Sequence, residues 1–141
     1  MSKLTPPDWI EARDYQQTAI QRWLGADGQG ILHMATGTGK TVTALLAVSR
    51  VAESLDSPLV LVVTVPYQHL VDQWAEELRA FGVDPVLGYQ SRSNWQPQLE
   101  RELLEFNHGS RSLCVLVTTH RTLSMDSTQR TVERASGLVM V

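Results

Sequence analysis

The stretch "HMATGTGKTV", residues 33 to 42, decides how this chain is read. It ends in Gly39, Lys40 and Thr41, the close of the phosphate-loop pattern G-x-x-x-x-G-K-[ST]. Met34 stands where that pattern has its first glycine. What remains is A-T-G-T-G-K-T: Ala35, Thr36, Gly37, Thr38, Gly39, Lys40 and Thr41. The physical requirements are still met. Gly37 and Gly39 permit backbone angles that turn successive N–H groups inward, which makes a nest for phosphate oxygens. A helix is predicted to start at about Lys40, and its N-terminus adds partial positive charge. Lys40 can bridge the outer two phosphates of a nucleoside triphosphate, and Thr41 can offer its hydroxyl to Mg²⁺. A glycine-rich turn that merely precedes a lysine is the plain alternative. Composition, spacing and the strand–loop–helix setting argue against it.

Outward from the loop, apolar runs of two kinds alternate. "GILHMA" before it is a short β-like run, and "KTVTALLAVSRVAESL" after it has helical spacing. "SPLVLVVTVP" is a continuous β-branched run, the mark of a strand buried on both faces. "HLVDQWAEELRAFG" predicts an amphipathic helix closed by Gly82, and "DPVLGYQ" a short strand. "WQPQLERELLEFNHG" predicts a helix closed by Gly109, "SLCVLVTTH" a second buried strand, and "DSTQRTVERAS" a helix. "GLVMV" begins a third buried strand. Ahead of the loop, "WIEARDYQQTAIQRWLGADGQG" carries apolar residues of which the later ones follow helical spacing, and the pattern stops at Gly25. Such alternation predicts βαβ units, a parallel sheet and one α/β domain over residues 1–141.

Bulk properties narrow the function. The net charge of −3 excludes a uniformly basic nucleic-acid binder, so any such contact must be local. Of the 12 basic residues only Lys3 and Lys40 are lysines. Cys114 is the single cysteine, so it forms no internal disulfide, and a cytoplasmic location is expected. The longest aliphatic run, "LVLVV" at residues 59–63, is far too short to span a bilayer, and no membrane partner is expected. The four histidines, His33, His69, His108 and His120, share no metal-ligand spacing with each other or with Cys114.

Taken in order, the motifs resemble those of superfamily 2 helicases and translocases, the DEAD/DEAH-like group. The form A-x-x-G-x-G-K-T is similar to their motif I. "RDYQQTAI", residues 13–20, resembles the segment upstream of motif I, whose glutamine reads the adenine edge while an arginine packs near the base. Those roles would fall on Gln16 and Arg13. "VTVPYQHLVDQW", residues 63–74, resembles motif Ia, which implies a nucleic-acid backbone contact by Pro66, Tyr67 and Gln68. "VTTHRTL", residues 117–123, resembles the Ib/Ic region, with Thr118, Thr119 and Arg121 as candidates. "LGYQSR", residues 87–92, offers Arg92 as a further phosphate partner. All lie at predicted strand carboxyl ends, where parallel sheets bind ligands. The resemblance runs from about Trp9 to the end. It implies a three-layer RecA-like (P-loop NTPase) sheet, ATP and Mg²⁺ as cofactors, and nucleic acid as partner, DNA before RNA. A restriction- or phage-defence-associated member is one placement that the resemblance allows.

The resemblance also asks for an acid. A Walker B carboxylate should follow a buried strand and hold Mg²⁺ through water. "GLVMV" looks like that strand, and Val141 ends the sequence there. Asp72, Glu76 and Glu77 fall on a helical face, Asp84 precedes a proline, and Asp126 lies beyond a strand and loop. The chain therefore reads as the front part of a first RecA-like domain, truncated before that acid and lacking the second RecA-like domain. Alone, it is expected to be inactive. A small phosphotransferase would want the strict glycine loop. A non-catalytic module that keeps the loop as scaffold is the other alternative.

Overall fold

A computed structural model describes residues 3–34, 39–54, 58–89 and 91–141. Helix α1 spans Asp14–Gly25 and α2 Lys40–Ser54. Strand β1 (Leu59–Val65) leads to α3 (Gln68–Ala80), β2 (Val86–Gly88) and α4 (Arg92–Asn107). Strand β3 (Leu113–Thr119), α5 (His120–Leu123), α6 (Asp126–Glu133) and β4 (Leu138–Met140) complete the order. The strands form one sheet in the order β2-β3-β1-β4, every pair parallel. The α/β reading is borne out.

Alternation along each strand builds the layers, because successive side chains point to opposite faces. Leu59, Leu61 and Val65 of β1, with Leu113, Val115 and Val117 of β3, join Leu45, Val71 and Leu78 in one core. Val60 and Val62, with Cys114 and Leu116, face the other way onto Trp95, Leu99 and Phe106 of α4. A helical layer therefore lies on each side of the sheet. Burial pushes the Cys114 thiol up to about 12, with the Glu102 carboxylate adding to the shift and the Arg111 guanidinium opposing it.

The helix stops follow from two glycines. Gly82 and Gly109 have φ of +83° and +81°. The amide of each bonds three residues back, and the next amide bonds five back: Val83 N–H to Leu78 O and Ser110 N–H to Glu105 O, both 3.0 Å. This is the Schellman arrangement that satisfies the last carbonyls of a helix.

Two features differ from the sequence reading. Residues 31–34 form no strand, and Ile31 is 93% exposed. A local β pattern becomes a strand only where a neighbour takes its backbone groups, and no described strand pairs with this run. Helix α1, Asp14–Gly25, covers the later apolar residues of its segment as expected, while Trp9 ahead of it is 76% exposed. The short helix α5 was not foreshadowed by periodicity; the Thr119 hydroxyl nucleates it by accepting from Thr122 N–H at 3.3 Å. Among the described residues no helix is long and apolar enough to cross a membrane.

Candidate nucleotide and nucleic-acid site

Ala35, Thr36, Gly37 and Thr38 lie outside the described residues, so the loop is read from its exit. There the chain makes a specific turn. Gly39 has φ +79°, a left-handed conformation that favours glycine. A Cβ on Gly39 would also stand 2.9 Å from Nε2 of Gln16. Helix α2 starts at the next residue, Lys40, which is exposed, with Thr41 half-buried behind it. The Lys40 ammonium has no hydrogen-bond or ion-pair partner among the described residues. A left-handed glycine, a free ammonium and a hydroxyl on the first helical turn fit a triphosphate with Mg²⁺. Among the described residues no group of three or more His, Cys, Asp or Glu side chains could hold a metal by itself.

Gln16 reaches this turn from α1. It is 5% exposed, and its Oε1 accepts from Arg13 N–H at 2.9 Å, which sets the start of α1. That acceptor role directs Nε2 toward α2, where it donates to Thr43 Oγ1 at 3.1 Å and Gly39 O at 3.4 Å. Thr43 in turn donates its hydroxyl to Gly39 O at 2.8 Å, and is fully buried. The upstream glutamine and the loop exit are thus one buried network. Thr43 was missed by sequence reasoning; its place one helical turn after Gly39 was the available signal. The Arg13 side chain stays exposed, with Nη1 at 3.4 Å from the Tyr15 hydroxyl.

The nucleic-acid candidates divide into two sets. Pro66, Tyr67 and Gln68 follow β1 and are exposed, and Arg121 is exposed after β3. Thr64 pairs with Thr118 and Val65 with Thr119, so these two loops leave the sheet side by side. A hydrogen bond of 2.7 Å between Thr64 Oγ1 and His120 Nδ1 pins them together. Other candidates are turned inward. Thr118 is fully buried, and its hydroxyl donates to Gly88 O across the sheet. Thr119 caps α5. Arg92 lies 4.8 Å over the Trp95 ring and donates to Gln96 Oε1 and Thr128 Oγ1, each at 2.9 Å, and to Met125 Sδ at 3.0 Å. A long side chain at a helix start meets the neighbouring helix when that helix offers acceptors, which sequence spacing does not reveal. Asp72 is not simply solvated either: it accepts from the Tyr89 hydroxyl at 2.9 Å, and that bond raises the Tyr89 pKa.

Comparison with known proteins fixes the family. The family model described as "Type III restriction enzyme, res subunit" matches residues 9–141. The chain belongs to this family. The resemblance to superfamily 2 helicases and translocases is thereby borne out, and two further matches agree with a res-subunit domain. Over 74 residues, 52% of this chain, it is 36% identical to the DNA 3'-5' translocase XPB2 of Sulfurisphaera tokodaii. The solved chain of a nuclease-deletion mutant of the Type ISP restriction-modification enzyme LlaGI, in complex with a DNA substrate mimic, matches 86% of this chain. Its TM-score is 0.67 at 19% identity, which carries the likeness of fold. The chain spans only 15% of the length of the first relative and 14% of the second.

Proposed function

We propose that this chain is the ATP-binding portion of a superfamily 2 translocase or helicase that works on DNA. The observation that carries the reading is the turn at Gly39 into α2, with Lys40 unpaired among the described residues and Gln16 tied to the Gly39 backbone. Ala35, Thr36, Gly37, Thr38 and Gly39 would cradle the phosphates through backbone N–H groups. Lys40 would neutralise the outer phosphates, and Thr41 would hold Mg²⁺. Bound ATP-Mg²⁺ supplies the bond whose cleavage drives the motor. Every other role falls to the protein. Gln16 would read adenine with the donor it lends to Thr43, and Arg13 would pack beside the base. Pro66, Tyr67, Gln68 and Arg121 would meet the nucleic-acid strand.

The short span against its relatives supports a division of labour. The Walker B acid and the second RecA-like domain would come from the rest of the protein, which would perform hydrolysis. Membership in the res-subunit family turns the choice away from a small phosphotransferase.

The test uses the full-length protein. ATP turnover is expected to rise on addition of DNA and to vanish in Lys40→Ala, whose fold should persist because Lys40 is exposed. Turnover retained in Lys40→Ala sinks the loop assignment, and turnover indifferent to every nucleic acid sinks the motor assignment.

A further inference from the structure

The loop after β1 carries an aromatic pair that the nucleotide site does not use. Tyr67 and His69 stack with ring centroids 5.7 Å apart and planes 7° from parallel. Tyr67 is 63% exposed, and His69 is exposed as well. Neither belongs to either core cluster. No side chain caps α3 where Tyr67 precedes it. A large exposed ring with no packing role, at the carboxyl end of a parallel sheet, sits where such sheets bind ligands.

We infer that Tyr67, backed by His69, is a stacking platform for an unpaired nucleobase, so the strand held here is single-stranded. The inference rests on the nucleic-acid reading above and narrows it. Three features support a base as occupant. The outer face of Tyr67 is open, and the His69 ring behind it fixes its orientation, so little ordering cost remains on binding. The loop after β3 lies alongside, pinned by the Thr64–His120 bond, and presents Arg121. The Arg121 guanidinium has no side-chain partner among the described residues, so it is available to a phosphate. An exposed aromatic face and, on the adjoining loop, a cation with no side-chain partner among the described residues are the two features that single strands use, because every base has a π-face and every linkage a charge. In a duplex the bases are already stacked on each other, and the ring would find only backbone.

The probes are a thymidine oligonucleotide and an abasic deoxyribose-phosphate oligomer of equal length, titrated against the full-length protein. Tyr67→Ala is expected to weaken the thymidine strand by roughly 5- to 150-fold, the range of one lost base–aromatic stack, and to leave the abasic strand unchanged. Tyr67→Phe keeps the ring and should bind as the parent does. An unchanged thymidine affinity in Tyr67→Ala overturns the platform. So does an equal loss for both strands, which would mean a backbone contact. Parent protein that binds duplex alone overturns the single-strand inference while leaving the motor reading intact. Parent protein that binds no nucleic acid ends both.

Discussion

The amide nitrogen of Gln16 stands 3.1 Å from the hydroxyl of Thr43, across 27 residues of sequence, and both side chains are buried. Through that contact α1 holds the turn at Gly39 where α2 begins, because Thr43 also donates to Gly39 O. Removing either partner leaves polar atoms without partners, at about 1–3 kcal/mol. Gln16→Ala and Thr43→Val should each lower the urea midpoint. Combined, they should cost less than the sum, by a coupling of roughly 0.5–3 kcal/mol. If adenine takes the donor that Thr43 now holds, saturating ATP should shrink that coupling. Additive single effects without nucleotide would deny that the two residues form one network.

Gly39→Ala meets two separate obstacles. Its φ of +79° costs an L-residue about 1–2 kcal/mol. The new Cβ would also stand 2.9 Å from Gln16 Nε2, so that side chain must move. Shortening Gln16 removes the second obstacle and leaves the first. Denaturation midpoints should therefore show Gly39→Ala milder in a Gln16→Ala background than in the parent. Equal costs in both backgrounds would mean that the close approach is not felt.

What the sequence could show depended on the range of the interaction. Gly82 and Gly109 were legible as helix stops because a Schellman turn is made by consecutive residues. "LVLVV" and "LCVLV" were legible as buried strands because a sheet covered on both faces needs no alternation. Residues 31–34 misled, since a β pattern says nothing of whether a neighbouring strand is there to receive it. At the candidate site, Gly39, Lys40 and Thr41 were open to nomination from local chemistry alone. Thr43 was not, because its role depends on a glutamine from another helix. Arg92 and Thr118 were chosen for residue type at strand ends, yet exposure is decided by what packs against them: α6 in one case, Gly88 in the other.

Glu102 gives the fold a pH dependence. It is 7% exposed; Oε1 pairs with Arg111 at 3.0 Å, and Oε2 has no hydrogen-bond partner among the described residues. Burial raises its pKa, and the Arg111 guanidinium offsets this only in part. The folded state thus binds this proton more tightly than the unfolded chain does. The favourable contribution is fully present below the ordinary carboxyl value of 4.5 and is lost as pH rises through the folded pKa. Glu102→Gln should flatten the fall in stability over that window, while Arg111 keeps Glu105 at 2.9 Å. Urea midpoints measured across the acid range check this. A parent and variant with parallel profiles would show that Glu102 does not carry the dependence.

Arg92 separates a structural role from a nucleic-acid role. Its guanidinium joins α4 to α6 through Thr128 and Met125, holds Gln96 one turn on, and lies over Trp95. A planar fork can meet those acceptors at once, whereas a lysine ammonium is a single point. Arg92→Ala should destabilise the protein by about 1–3 kcal/mol, and Arg92→Lys should recover little of it. A phosphate contact leaves a different trace. Losing one lowers the slope of log affinity against log salt by about 0.7–0.9, depending on the strand form. With Nη1 and Nη2 engaged inside the domain, Arg92→Lys and Arg92→Ala should leave that slope unchanged, while Arg121→Ala should reduce it by one contact. A slope that falls with Arg92 and not with Arg121 would move the phosphate track from the β3 loop to the start of α4.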